Sequence, residues 1–261
     1  MSLAWRDTAP PPADRADGGI VLSSFPSAGL AATIAGHYMV KTLKLPRVGV
    51  FEGTDAQPIA VVQGGEVHPP IRVYGRSDLS IVLSELPVPP ELANAAARAI
   101  LDGAAARKAR LVIGLEGVVP HPVEADEPPP EATKAEETVW FASSQDGPTN
   151  SELFQKAGVR RLEDGVIGGV SGALLVEGIT QSTPVAVLLV SARHAPQGIA
   201  DHLAGATLIE ALDRILPSLK IDTAPLRTQA AMIERAIRQA LKTRPRAHET
   251  PPESASPAIY G

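Results

Sequence analysis

Residues 19–43 read GIVLSSFPSAGLAATIAGHYMVKTL, and the stretch changes period halfway along. GIVLSS (19–24) is a short apolar run closed by a turn signal, the pattern of a buried strand. After the FPSAG turn, Leu30, Ile34, Tyr38 and Leu43 recur at roughly helical spacing, which predicts a helix burying that stripe. Small residues crowd its beginning: Ala28, Gly29, Ala31, Ala32, Ala35 and Gly36 mark close packing against a sheet or a partner. No G-x-G-x-x-G is present and no phosphate-loop lysine follows, so the turn is not read as a nucleotide loop. A buried strand feeding a helix is the building unit of α/β folds.

The same alternation continues outward. RVGVFE and IAVVQ read as strands, and the turn residues QGGE are consistent with a hairpin into IRVYG. LSIVLSE (79–85) is a further strand, followed by the Ala-rich helix PPELANAAARAILDGAAARKA with proline where a first turn tolerates it. RLVIGLEG is the next strand. VVPHPVEADEPPPEATKAEE carries too much Pro and Glu to pack and is expected to be an exposed loop. Beyond it come TVWFASS, the helix SELFQKAG, the strand-turn-helix DGVIGGVSGALLVEGI, and PVAVLLVSAR (184–193), the most strongly β-forming run. IADHLAGATLIEALDRILP then offers Leu203, Leu208, Ile209, Leu212 and Ile215 for burial. From Asp222 an amphipathic helix follows, with Pro225 in its first turn and Met232, Ile233, Ile237 and Leu241 on one stripe. Strands alternating with helices, with an early hairpin, predict a three-layer α/β sandwich around a mixed central sheet, extended by a C-terminal helical stem. The expected divisions are a disordered leader (1–18), an α/β domain (19–221), a helix (222–243) and a flexible tail (244–261).

Composition narrows the function. The 261 residues are 44% hydrophobic but only 3% aromatic, so the core is built from aliphatic side chains. A net charge of −5, with no basic block, argues against nucleic-acid binding. Zero cysteines exclude disulfides and thiolate chemistry and agree with a reducing cytoplasm. The longest apolar runs are too short to cross a bilayer, and MSLAWRDTAPPPADRADGG lacks the apolar core of an export signal.

Candidate chemistry gathers around VIGGVSGALL (166–175). Gly168, Gly169, Ser171 and Gly172 at a strand-to-helix turn could present backbone N–H groups to an anion. Equally, the glycines could serve tight packing and positive φ. Gly169-Val170-Ser171-Gly172-Ala173 grazes the nucleophile-elbow pattern but has alanine in place of its second glycine, and adjacent Asp201 and His202 diverge on a helix. His194, Asp201 and His202 could converge on a metal, yet there is no H-E-x-x-H and no ligand run. Glu85 and Glu116 each follow a strand, where an open sheet places its ligand crevice, and as a pair could do acid–base work or serve as caps. No catalytic residue, metal or cofactor is expected.

Taken together, several segments resemble the proteasome assembly chaperone family, that of the second eukaryotic proteasome-assembling chaperone. SSFPSAGLAATIAGHYMVKTL is similar to its opening strand, F-P-x-x-G turn and first helix. PPIRVYG and LSIVLSELPVPPEL resemble its P-P-I strand, central strand and turn into a helix, and GVIGGVSGALL its G-V-I-x-G-x-x-G-x-L-L segment. The resemblance runs over residues 18 to 245. It implies a nucleoside-phosphorylase-like fold used without catalysis, homo-oligomers, and the proteasome core-particle α-ring as partner.

The last residues, Ile259, Tyr260 and Gly261, are similar to the hydrophobic–tyrosine–any-residue terminus of proteasome activators and assembly chaperones. The resemblance implies that they enter pockets between α-subunits. Ile259 would supply aliphatic surface, Tyr260 apolar area and a hydroxyl, and the Gly261 carboxylate a charge for a lysine.

Overall fold

Four parallel strands carry the fold. The computed structural model describes residues 3–8, 18–53, 58–119, 138–145, 148–192 and 200–243. Its elements run β1 (Ala4–Asp7), β2 (Ile20–Ser24), α1 (Ala31–Thr42), β3 (Arg47–Glu52), β4 (Val61–Gln63), β5 (Glu66–His68), β6 (Ile71–Gly75), β7 (Leu79–Ser84) and α2 (Ala93–Ala106). Then follow β8 (Leu111–Val118), β9 (Val139–Ser143), α3 (Pro148–Lys156), β10 (Arg160–Arg161), α4 (Gly169–Thr180), β11 (Val185–Ser191), α5 (His202–Ile215) and α6 (Ala224–Thr243). The main sheet has the order β1-β3-β6-β7-β2-β8-β11-β9-β10. β7, β2, β8 and β11 are mutually parallel, while β1, β3 and β6 on one flank and β9 on the other pair antiparallel. The sheet is therefore mixed, as the alternation predicts.

Parallel strands need both faces covered, which is why IVLSS, LSIVLS and VAVLLV are buried almost without interruption. Ile20 and Leu22 of β2 pack with α1, α3, α5 and the start of α6, whereas Val21 packs with α2 and α4. The result is three layers, helix on sheet on helix. Phe141 and Phe154, stacked 4.9 Å apart, add rare aromatic area to the first face.

Several expectations need correction. Residues 4–7, within the segment read as a disordered leader, form an edge strand on β3. The QGGE turn closes β4 onto β5, a separate two-stranded ribbon, rather than leading directly into Ile71–Gly75. Leu30 is not part of a buried helical stripe: it has φ +54, precedes α1 and is exposed. Instead the small residues Ala31, Ala32, Ala35 and Gly36, with Met39, make the buried face. A Cβ on Gly36 would lie 2.3 Å from Ser24 Oγ, so α1 sits closer to β2 than any larger residue permits. Leu203 is half-buried, and Met232 is exposed while Ile233 is half-buried. Most of the Pro- and Glu-rich segment, and residues 244–261, lie outside the described residues.

Candidate functional site

The C-terminal ends of β2 and β8 converge on the FPSAG turn and the start of α4. Gly117 donates its N–H to Ser27 Oγ at 2.9 Å, and Asp201 donates its N–H to the Gly29 carbonyl at 2.8 Å. Asp201 then caps α5 by accepting from the Ala204 N–H. The Asp201 side chain thus reaches the N-terminus of α5. His202 opens α5 with Nδ1 3.2 Å from the Ala200 carbonyl, and His194 lies outside the described residues. Among the described residues, no group of three or more His, Asp or Glu side chains could hold a metal.

The glycine turn opens α4: Gly168 is its N-cap, and Gly169 and Gly172 lie in its first turn. Gly169 has φ +60, a left-handed conformation that glycine adopts without strain. A Cβ on Gly172 would fall 2.1 Å from the Ile167 carbonyl oxygen, so that position is demanded by packing. Gly168 meets neither requirement: its φ is −103 and the space beside it is open. Ser171 lies inside the helix, buried, and donates its hydroxyl to Glu116 Oε2 at 2.6 Å. Glu116 projects from within β8, not from beyond its end as the sequence suggests.

Burial pushes the Glu116 carboxyl up to about 7, the Ser171 hydrogen bond opposing only part of that rise. Since the folded-state value lies above the ordinary 4.5, the folded chain keeps a proton that the unfolded chain releases between those limits. The associated stability is therefore complete below about 4.5 and lost as pH rises through 7, with a limiting slope of about 1.4 kcal/mol per pH unit. Glu116→Gln, which still accepts from Ser171, is expected to flatten this slope and raise Tm at pH 8 by roughly 4 °C or more. Thermal melts between pH 5 and 8 check it; parallel pH profiles for both chains would refute it.

Glu85 is held apart from Glu116, on the α1 side of the sheet. It accepts from the buried Arg72 guanidinium and lies 3.0 Å from His37 Nε2. Burial, reinforced by Arg72, lowers the His37 pKa, so its contact is a neutral hydrogen bond at pH 7. The two carboxylates therefore form no acid–base pair; each has its own partner on its own side. Nothing in the IRVYG pattern signalled the Arg72 ion pair except a charged residue in an otherwise apolar strand. Glu85→Ala leaves Arg72 buried without its counter-charge and is expected to cost about 3 kcal/mol in urea titrations. The apolar double replacement Arg72→Met with Glu85→Leu should recover most of that loss, and a double variant as unstable as the single one would contradict this account.

Fold and site together define a three-layer α/β protein whose sheet-end polar groups are tied to one another. The chain belongs to the PAC2 family, whose model matches residues 21–241. It is 28% identical over 225 residues to an uncharacterized protein of Methanocaldococcus jannaschii, covering 84% of each chain. It is also similar to the crystal structure of Pyrococcus furiosus PbaA, an archaeal homolog of proteasome-assembly chaperone. That likeness has TM-score 0.74 and 25% identity, and covers 92% of both chains. PbaB of the same organism, an archaeal proteasome activator, matches in fold with TM-score 0.73 and 20% identity, over 92% of this chain and 99% of that one.

Proposed function

We propose that this protein is a non-catalytic proteasome-binding protein of the cytoplasm, an assembly chaperone or an activator of the core particle. Membership of the PAC2 family carries this reading, supported by the likeness to PbaA. In this proposal several copies associate through the α/β body, and each presents Ile259, Tyr260 and Gly261 to pockets between neighbouring α-subunits. Burying Ile and Tyr gives roughly 3–5 kcal/mol. A charge-assisted contact of the Gly261 carboxylate adds about 1.5–3 kcal/mol. Ordering the peptide and losing translational freedom offsets a good part of this. A single tail then binds in about the millimolar to tens of micromolar range. A fully extended peptide of the length that follows Thr243, at roughly 3.1 Å per residue, would reach about 50 Å, enough in this proposal to bridge an oligomer and a ring of unlike symmetry. Co-sedimentation of the full chain with purified core particle tests the reading: binding that follows the α-ring is expected, and no binding to either free α-subunits or whole particle defeats it. Among the described residues, no helix is long and apolar enough to cross a membrane.

A second reading, an enzyme acting on a nucleoside or phosphorylated compound at 168–172, draws on the open space beside Gly168 and Gly169 at a helix N-terminus. The commitment of the Ser171 hydroxyl to Glu116 weighs against it. Stabilisation by phosphate that disappears in Gly169→Ala would favour this second reading; equal melts in phosphate, sulfate and nucleosides would remove it.

A further inference from the structure

The edge of β3 carries a socket built for one side chain. β1 pairs antiparallel with β3 in the register Ala4↔Glu52, Trp5↔Phe51, Arg6↔Val50 and Asp7↔Gly49, and Thr8 donates its N–H to the Val48 carbonyl at 2.9 Å. The Trp5 ring stacks on Phe51 with centroids 6.1 Å apart, and the guanidinium of Arg107, the C-cap of α2, lies 3.8 Å from the Trp5 centroid. Two glycines make the space. A Cβ on Gly103 would sit 2.1 Å from Trp5 Cε3, and one on Gly49 would sit 2.7 Å from Trp5 Nε1. Glycine weakens a helix interior, so Gly103 within α2 trades helix stability for room. Asp7 completes the set: Oδ1 accepts from Trp5 Nε1 at 3.1 Å and also from Arg107. Arg107 is only 8% exposed, and a buried cation needs that counter-charge. Main-chain pairing, an aromatic floor, a glycine-walled slot and a buried cation read one pattern, an extended segment with tryptophan two residues before an acid.

We propose that the groove between β3 and the last turn of α2 is a peptide-binding site for extended Trp-x-Asp segments, kept closed by the chain's own N-terminal strand. The strand is joined to Gly18 through residues 9–17. Covalent linkage makes the pairing of this strand intramolecular, so a free segment enters only when the strand is cut loose or displaced. The groove is then an edge available for strand addition, and the resident strand is its guard.

The test introduces a specific protease site within residues 9–17 of the full chain and uses a fluorophore-labelled peptide of residues 2–8. The uncut chain should take up no peptide. After cutting and buffer exchange, saturable one-to-one binding is expected, weakened at least tenfold in peptides carrying Trp5→Ala or Asp7→Ala. Equal affinity for the altered peptides, or no uptake by a cut chain that stays folded, overturns the proposal. Should cutting unfold the body, the uncut full-length Trp5→Ala chain takes its place: it must bind the unaltered peptide, and failure to do so is equally fatal.

Discussion

Removal of Ile259, Tyr260 and Gly261 should lower the apparent affinity for the core particle at least 100-fold while leaving Tm and oligomer size unchanged. The asymmetry follows from where the contacts lie. Among the described residues the buried core runs along the chain to Leu226 and Ala230, and in the proposed mode the last three positions serve docking alone. Binding, by contrast, depends on every tail in the proposed mode. Linking weak sites on one oligomer raises avidity by about 10²–10⁴ over a single site, and that gain vanishes when each site is lost together. One residue added after Gly261 should be nearly as damaging, because the carboxylate then sits one position away from its partner. Tyr260→Phe removes only the hydroxyl, which is worth about 0.5–1.5 kcal/mol, and so should weaken each tail by about tenfold at most. Surface-immobilised core particle, titrated with the four chains, distinguishes these outcomes. Undiminished binding by the truncated chain would transfer the interaction to the α/β body and end the tail hypothesis.

The central layer was legible because its cause is local. Strands covered on both faces must be continuously apolar, and GIVLSS, LSIVLS and PVAVLLV are so. The helix after FPSAG was legible too, but its buried face was not. Periodicity selects large residues such as Leu30, whereas the backbone leaves the helical region there and Gly36 and its small neighbours meet the sheet. Composition misled at the N-terminus, where the Pro- and Asp-rich context of residues 9–17 outweighed the four residues AWRD. Nothing adjacent to Trp5 reveals its socket, because Gly49, Phe51, Gly103 and Arg107 come from two distant elements. The same holds for Ser171 and Glu116, 55 residues apart, and for Arg72 and Glu85, which meet through antiparallel pairing of β6 with β7. Polar partnerships across a sheet depend on register, and register is set by the whole fold.

Gly117→Val should prevent stable folding or cost about 3 kcal/mol or more, whereas Gly168→Ala should change stability by less than about 0.5 kcal/mol. A Cβ at 117 would lie 2.2 Å from the Ala28 carbonyl oxygen and 3.2 Å from the Ala31 Cβ. Those atoms cannot retreat easily: Gly117 N–H holds Ser27 Oγ, Gly29 accepts from Asp201, and Ala31 is wholly buried against the first core face. Relieving the clash therefore means moving the FPSAG turn, the start of α1 and the cap of α5 together, which exceeds the usual overpacking of a single side chain. At Gly168 the added methyl meets only open space and an ordinary φ. Chemical denaturation of the two variants measures the contrast, and a mild Gly117→Val would show that the convergence of turn, β8 and α5 is loosely held. That would matter beyond stability. Glu116 immediately precedes Gly117 in β8 and reaches Ser171 of α4, so a variant that folds with the end of β8 shifted should also lose the Ser171–Glu116 bond. Its pH profile would then move away from that of the unaltered chain, linking the packing of one glycine to the titration of a carboxyl on the preceding residue.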